Sequence, residues 1–277
     1  MSRPRILVTN DDGIDSIGLH VLARAMAEIG DVVVAAPDKE YSGYGAAFGP
    51  LHLIQPEVRR SRIDGVDEVW SITGPPALCV MFGRLDLFGH YDLVVAGINP
   101  GANVGRSVYH SGTVGACLTA RNGGVSGVAV SQTVESFGVE GQGWEEMLAD
   151  QHWDTAATVA AAAVEGLAAA LPPEPVVLNI NVPDRELCDV KGWKRTDVGI
   201  EPPRSMATAQ LEARPGHTDA FRVKMDWGEA VELPEHTDGG AVMAGWVSVG
   251  WLGRLEATEP AFAGVAEAES RLDKLLS

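Results

Sequence analysis

The sequence predicts an α/β fold, in which a mostly parallel sheet lies between two layers of helices. Short runs of aliphatic residues recur along the first 183 residues, and segments with helical spacing of apolar residues separate them. Each run is apolar at nearly every position, which is typical of parallel strands that are buried on both faces. Strands that alternate with helices in this way form a sheet covered on both sides.

The chain begins with a predicted strand, helix and second strand. Residues 6–8 are an aliphatic run that ends at the turn-forming sequence Asn10-Asp11-Asp12-Gly13. Residues 17–29 have the apolar spacing of a helix, and Gly30 marks its end. Residues 32–36 are again aliphatic and predict the second strand.

The same alternation continues to residue 182. Further strands are predicted at residues 69–72, 93–96, 128–130 and 176–182, and further helices at residues 77–88, 113–121 and 155–171. Residues 97–101 are interpreted as the loop after the strand at 93–96. Residues 41–54 do not fit the alternation and are interpreted as an insertion.

The last part of the chain has a different composition. Residues 183–235 contain scattered proline, glycine and charged residues, which predicts an irregular or hairpin extension of the core. Residues 242–252 return to the apolar character of a strand, and residues 261–276 have the spacing of a terminal helix. Since no repeat or low-complexity linker separates these parts, we expect a single domain over residues 1–277, with a core of about 1–183 and an extension of about 184–277.

The charge of the chain argues against several classes of protein. Its 277 residues include 21 Lys and Arg against 38 Asp and Glu, for a formal net charge of −17. An acidic surface repels phosphate backbones and anionic lipids, so we expect neither a nucleic-acid polymer nor a membrane as partner. With 45% hydrophobic residues, the chain is not globally disordered.

The cysteines and the first residues of the chain predict a cytoplasmic location. Cys79, Cys117 and Cys188 are odd in number, far apart and free of any C-x-x-C pair, which is typical of reduced intracellular thiols. The basic first residues lead into a short strand rather than the apolar core of a signal peptide. The longest apolar stretch, residues 156–171, is too short for a membrane span.

Polar residues follow the predicted parallel strands, where open sheets of this kind bind ligands. The residues in these positions are Asn10, Asp11, Asp12, Ser42, Asn99, Asn103, Ser111, Gly112 and Thr113. Carboxylate, hydroxyl and amide oxygens together suit a hard cation such as Mg²⁺ or Mn²⁺. A helix that begins at residues 111–113 offers hydroxyl and amide donors to an anion. Each of these residue types is also common in turns and helix caps, so a structural role stays open for every one.

These motifs, in this order and spacing, resemble the SurE family, whose members are metal-dependent 5′-nucleotidases. The resemblance covers most of the chain. Its motifs are Ile6-Leu7-Val8-Thr9-Asn10-Asp11-Asp12-Gly13, Ala36-Pro37-Asp38 leading to Ser42-Gly43, Gly97-Ile98-Asn99 to Asn103-Val104-Gly105, His110-Ser111-Gly112-Thr113-Val114-Gly115-Ala116, Leu178-Asn179-Ile180-Asn181-Val182-Pro183, and Thr237-Asp238 to Gly245-Trp246-Val247-Ser248.

The resemblance implies a hydrolase that removes phosphate from nucleoside 5′-monophosphates, and activity on 3′-monophosphates stays open. It implies one divalent cation per subunit, held by Asp11, Asp12, Ser42 and Asn99. It implies that Asp11 and Asp12 are catalytic, and which of them accepts a proton from water stays open. The implied phosphate contacts are Asn10, Asn103, Ser111, Gly112 and Thr113. It also implies a Rossmann-like core, with a hairpin and C-terminal segment exchanged between the subunits of a dimer or tetramer.

The sequence departs from the family pattern at three places, one of which is the helix after Ala116, where the usual acidic residue is replaced near Leu118-Thr119. The family usually has Gly-Thr-Pro-x-Asp-Cys where this chain has Gly74-Pro75-Pro76-Ala77-Leu78-Cys79, and it commonly has Arg where this chain has Asp197. The substitutions at Pro75 and Leu78 leave open an alternative, a nucleotide-binding or sensing module with little or no catalysis. A dinucleotide-dependent oxidoreductase is disfavoured because no G-x-G-x-x-G follows the first strand.

Overall fold

A computed structural model describes residues 3–134, 148–201, 204–258 and 262–276. The strands are β1 (Arg5–Thr9), β2 (Asp31–Pro37), β3 (Val58–Arg60), β4 (Glu68–Ile72), β5 (Leu93–Pro100), β6 (Ser126–Gln132), β7 (Val177–Val182), β8 (Trp193–Arg195), β9 (Arg204–Ala213), β10 (Phe221–Ala230) and β11 (Val247–Leu252). The α-helices are α1 (Ile17–Ile29), α2 (Pro76–Arg84), α3 (Gly112–Asn122), α4 (Trp153–Ala169), α5 (Asp238–Met243) and α6 (Ala263–Leu276).

Within these residues the main sheet has nine strands, in the order β3-β4-β2-β1-β5-β6-β7-β11-β8. The six strands from β4 to β7 in that order are mutually parallel, whereas β3 and β11 pair antiparallel with their neighbours. The chain runs from β1 outward through β2 to β4 and then crosses to β5 on the other side of β1. The gap beyond the carboxyl ends of β1 and β5 is therefore the switch point at which open α/β sheets bind ligands.

Helices cover both faces of the sheet. Helices α1 and α4 pack on one face, and α2 and α3 pack on the other. The strands divide their side chains between the two cores at every second residue, so Ile6 and Val8 face α1 while Leu7 faces α2 and α3. This confirms the predicted three-layer α/β fold with a mostly parallel sheet.

Helix α1 has the bounds that the apolar spacing predicts, and it lies unusually close to β5. The Ser16 hydroxyl caps the helix by accepting a hydrogen bond from the Leu19 amide at 3.3 Å. A Cβ atom on Gly18 would lie only 2.2 Å from the Ile98 carbonyl oxygen. Glycine at this position therefore lets α1 pack directly against the end of β5, next to the loop that follows β1.

The extension contains the predicted hairpin. Strands β9 and β10 pair antiparallel and form a separate two-stranded ribbon outside the main sheet. In the described ranges, no helix combines the length and apolar character needed to cross a bilayer. The single-domain organisation over the whole chain stays a prediction.

Three predicted boundaries are wrong. The strand predicted at 93–96 continues to Pro100, because Asn99 and Pro100 pair with β6 beyond an irregularity in register. The helix predicted at 77–88 ends at Arg84, shortly before Asp86 adopts a positive φ of 64°. The apolar stretch at 242–252 is not all strand, since its start belongs to α5, which Thr237 caps.

Candidate functional site

The candidate site lies beyond the carboxyl ends of β1 and β5, where three loops and the first turn of α3 meet. Six of its predicted residues are buried: Asn10, Asp11, Asn103, Ser111, Gly112 and Thr113. Asn99 is also nearly buried, at the end of β5. Charged and polar side chains at such depth must find partners in the protein or in a ligand.

The carboxylate of Asp11 sits on the N-terminus of α3. Its Oδ2 accepts a hydrogen bond from the Gly112 amide at 3.1 Å, and its Oδ1 accepts one from the Thr113 hydroxyl at 2.5 Å. A Cβ atom on Gly112 would lie 2.7 Å from Asp11 Oδ2, so only glycine allows this approach. The positive end of the helix dipole favours the bound carboxylate. In this structure the helix N-terminus therefore binds an anion of the protein itself.

Gly112 and Thr113 are two of the predicted phosphate ligands. In this structure the Gly112 amide and the Thr113 hydroxyl both donate hydrogen bonds to Asp11. The Thr113 hydrogen bond lowers the pKa of Asp11, but burial acts more strongly and leaves that pKa raised overall.

Asp12, unlike Asp11, has a carboxylate oxygen that accepts no hydrogen bond from the described residues. This oxygen, Oδ2, is buried. Burial and the negative charges of Asp11 and Glu40 hold the pKa of Asp12 well above its usual range. A buried carboxylate oxygen with negative neighbours is a place where a cation would be strongly stabilised.

Asn10 shapes the loop that carries the two acids. Its amide nitrogen donates to the Gly13 carbonyl at 3.1 Å and to the Ser16 hydroxyl at 2.7 Å. Both amide hydrogens are thus used inside the loop, which ties it to the first residue before α1. The phosphate contact predicted for Asn10 stays a prediction.

The loop after β2 carries Ser42 and is tied to the site at two points. The Tyr41 amide donates to the Asp11 carbonyl at 2.7 Å, and the Gly45 amide donates to the His110 carbonyl at 3.0 Å. Ser42 itself is exposed, and its amide donates to Glu40 Oε1 at 2.7 Å. The backbone contact of Tyr41 with Asp11 places Ser42 next to the paired acids.

Two further predicted residues present polar groups toward the same loops. The Asn99 amide nitrogen donates to the Gly101 carbonyl at 2.6 Å, which leaves its carbonyl oxygen for a ligand. The Ser111 hydroxyl oxygen caps α3 by accepting from the Val114 amide at 3.1 Å, so its hydroxyl hydrogen is left to donate.

Asn103 is held by residues for which no role in the site is predicted. Its side-chain amide donates to the Ser131 hydroxyl at 2.9 Å, and its backbone contacts Asn179 and Asn181. The signal was present in the sequence, because two asparagines alternate with Leu178, Ile180 and Val182 in a strand that is otherwise apolar.

The donor set fits a hard cation and not a soft one. In the described part of the chain, no three His, Cys, Asp or Glu side chains cluster as metal ligands. The candidate set instead combines two carboxylates with a hydroxyl and an amide oxygen, which is the chemistry that Mg²⁺ and Mn²⁺ prefer. The unpartnered oxygen of Asp12 supplies the observation that a further group belongs in this site.

Known proteins match this chain over most of its length. A family model described as survival protein SurE matches residues 6–204. The 5′-nucleotidase SurE of Legionella pneumophila is 36% identical over 195 residues, which are 70% of this chain and 70% of that protein. A crystal structure of the SurE protein from Aquifex aeolicus is 28% identical, with a TM-score of 0.75 over 98% of this chain and 100% of the other. The chain therefore belongs to the SurE family.

Proposed function

We infer that the protein is a metal-dependent 5′-nucleotidase, a phosphomonoesterase that releases phosphate from nucleoside 5′-monophosphates. The observation that carries this conclusion is the paired acid site, in which Asp12 keeps a buried oxygen that finds no partner among the described residues, beside the fixed carboxylate of Asp11. Its place at the switch point of the sheet and the nucleotidase relative from Legionella support the same function.

A divalent cation fits the residues present. We propose that Asp11, Asp12, Ser42 and Asn99 hold one cation per subunit, with Mg²⁺ or Mn²⁺ as the metal. When bound, such a cation supplies Lewis-acid chemistry at a phosphoryl oxygen and makes water more acidic.

We assign proton transfer and the binding of the phosphoryl oxygens to the protein's own residues. Both oxygens of Asp11 accept hydrogen bonds, so we assign the proton that leaves the attacking water to Asp12, on the carboxylate oxygen that does not hold the cation. We assign the phosphoryl oxygens to the Ser111 hydroxyl and to the remaining amide hydrogen of Asn103. Gly112 and Thr113 serve the reaction by fixing Asp11.

The departures at Pro75 and Leu78 are absorbed by packing, which favours catalysis over a sensing role. Leu78 is fully buried and contacts Gly74, since a Cβ atom there would lie 2.6 Å from Leu78 Cδ2. Pro75 precedes the first residue of α2, where a missing amide hydrogen costs nothing. The contacts of Asp11 come from α3 and from the loop after β2, and not from α2, which begins after Pro75 and contains Leu78.

We propose that the hairpin joins subunits in a dimer or tetramer. The register of β9 with β10 places six apolar side chains on one face: Ala209, Leu211, Ala213, Phe221, Val223 and Met225. The larger ones are about half to two-thirds exposed, for example Phe221 at 56% and Leu211 at 69%. An isolated two-stranded ribbon is marginally stable in water, and a second copy of the chain would cover this face.

We also propose that the protein is cytoplasmic. The buried free thiols of Cys79 and Cys117 support this location.

The test is phosphate release from a panel of nucleoside 5′- and 3′-monophosphates. Wild-type protein is assayed with Mg²⁺, with Mn²⁺ and with EDTA, and Asp12→Asn is assayed beside it. We expect cation-dependent release from 5′-monophosphates that EDTA and the substitution abolish. Folded wild-type protein that binds nucleotides but releases no phosphate with either metal would favour the sensing alternative.

A further inference from the structure

The family motif Leu178–Pro183 contains two asparagines that no step described above uses. Asn179 and Asn181 lie on β7, with Asn179 2% exposed and Asn181 fully buried. The residues between and beside them, Leu178, Ile180 and Val182, pack in the core shared with α1 and α4. The two amides therefore point to the opposite face, the side on which α3 begins.

Both asparagines bind the backbone of one residue, Asn103. The Asn103 amide donates to Asn181 Oδ1 at 2.7 Å. The Asn103 carbonyl accepts from Asn179 Nδ2 at 2.9 Å and from Asn181 Nδ2 at 3.3 Å. The single carboxamide of Asn181 thus binds both backbone polar groups of one residue, as a neighbouring strand would do.

The neighbouring strand fixes the side chain of the same residue. Ser131 on β6 is fully buried, pairs in register with Asn181, and accepts a hydrogen bond from the Asn103 amide at 2.9 Å. On its other side Ser131 pairs with Asn99, a proposed cation ligand. One row of neighbouring residues across three strands thus sets the position of Asn103 relative to the cation site.

We propose that Asn181, assisted by Asn179, is a positioning residue that aims the Asn103 amide at the phosphoryl group of the substrate. The proposal rests on the function proposed above, because it takes Asn103 as a phosphate ligand. Loops are held by hydrogen bonds of many kinds, but this one is held at both backbone groups and at the side chain. That degree of constraint is what precise placement of a reacting group requires.

The test compares Asn181→Leu with a control at the same level of the sheet. Ser248 on β11 pairs with Asn181, is fully buried, and bonds to the Thr196 hydroxyl at 2.9 Å rather than to Asn103. Ser248→Ala therefore removes a buried hydrogen bond from the same row without touching the loop. We expect Asn181→Leu to lower kcat/KM about 100-fold, and Ser248→Ala to change it about 2-fold or less.

Two further readouts separate positioning from a structural role. The rise in Tm on adding Mn²⁺ is expected to stay as in wild type in Asn181→Leu, because the cation ligands lie on other strands. Binding of inorganic phosphate, followed by calorimetry, is expected to weaken about 10-fold in Asn181→Leu and to stay unchanged in Ser248→Ala. If both variants lose Tm but keep the wild-type kcat/KM and phosphate affinity, the asparagines are structural and the proposal is wrong.

The result also distinguishes this proposal from the proposed function. Wild-type protein that hydrolyses no monophosphate, yet binds phosphate in a manner that depends on Asn181, would contradict the hydrolase and support the positioning. Wild-type protein without hydrolysis and without phosphate binding would contradict both. If Asn181→Leu does not fold, Asn179→Ala decides, because it removes one of the two donors to the Asn103 carbonyl. A fall in kcat/KM of about 10-fold supports the proposal, and a change of about 2-fold or less overturns it.

Discussion

Two of the loops that meet at the site differ in how their polar groups are satisfied. In the loop after β1, Asp12 keeps a buried oxygen without a partner in the part of the chain that the structure describes, and the nearby charges are negative. In the segment 103–105, the amide and carbonyl of Asn103 and the amide of Gly105 all have buried partners. A buried group without a partner marks the place where a ligand belongs, and fully bonded groups mark the parts that hold it in position.

The second loop is also joined to the C-terminal extension through Asp238. This carboxylate is 3% exposed and accepts hydrogen bonds from the Gly105 amide at 2.9 Å, the Gly199 amide at 2.9 Å and the Gly239 amide at 2.8 Å. Three donors to one carboxylate are a strong set of charge-assisted bonds. The extension therefore helps to hold the site, although its acids are not among the proposed cation ligands.

The largest expected effect comes from the oxygen without a partner. Asp12→Asn removes the free carboxylate, and we expect kcat/KM to fall about 1,000-fold, since a cation at this point contributes several kcal/mol to the transition state. The same change removes a buried negative charge, so the Tm of the protein in EDTA is expected to rise. Asp15→Asn, an exposed acid in the same loop, is the matched control. An equal loss of activity in both variants would contradict the assignment.

The pH dependence of stability without metal has a defined sign. The pKa of Asp12 is raised by burial, so the folded protein binds its proton more tightly than the unfolded chain, whose value is near 3.8. The stabilisation of the folded protein by this bound proton is fully present below pH 3.8, and it is lost as the pH rises through the pKa of Asp12 in the folded protein. In EDTA the Tm advantage of Asp12→Asn over wild type is therefore expected to grow as pH rises. A constant difference between pH 4 and pH 8 would show that Asp12 is not buried in this way.

Removing the hydroxyl that fixes Asp11 is expected to have the next largest effect. Thr113→Val keeps the shape of the side chain and deletes its hydrogen bond to the carboxylate. We expect about 1.5–3 kcal/mol less stabilisation of the charged acid, and a fall in kcat of about 10-fold or more. Thr113→Ser retains the hydroxyl and is expected to restore most of the activity. Failure of the serine variant to do so would indicate that the methyl group, not the hydrogen bond, is needed.

Changing Asp238 tests the bonded loop. Asp238→Asn places an amide group among three backbone donors, and we expect the free energy of unfolding to fall by about 1–3 kcal/mol. Urea unfolding measures this loss. Because the Gly105 amide loses its partner, kcat/KM is expected to fall about 10-fold, with the Tm shift on adding Mn²⁺ unchanged. A lost Mn²⁺ shift would show that the two loops are not separate in function.

The smallest expected effect is that of an exposed charge beside the site. Glu40 raises the pKa of both acids, but its side chain is exposed and solvent screens its charge. Glu40→Gln keeps an oxygen that can accept from the Ser42 amide. We expect the affinity for Mn²⁺, measured by calorimetry, to fall about 2- to 3-fold. A loss of about 100-fold would make Glu40 a ligand and change the proposed donor set.

The sequence predicted the six parallel strands, although it ended β5 too early, and it predicted the position of α1 and the paired acids after β1, because each depends on local pattern. It did not predict β3 and β8. It did not predict that Gly112 and Thr113 would bind Asp11, since that contact joins residues about 100 positions apart. The N-terminus of a helix can bind any anion, and only the folded structure shows which anion lies at the N-terminus of α3. The start of α5 was missed because an apolar run is compatible with helix or strand, and the cap at Thr237 decided the outcome.

The role of β7 was also beyond the sequence pattern. Alternating asparagines predict a polar face, but the residue that they hold depends on the register of β6 with β7 and on the path of the loop after β5. Both the register and the path of the loop are set by tertiary structure, which the local sequence pattern does not contain.

We propose above that the free oxygen of Asp12 binds a divalent cation. Calorimetric titration of metal-free protein with Mn²⁺ tests it most directly, with Asp12→Asn and Asp15→Asn measured under the same conditions. We expect one cation per subunit in wild type and in Asp15→Asn, and no binding at that site in Asp12→Asn. Equal stoichiometry and affinity in all three proteins would contradict it.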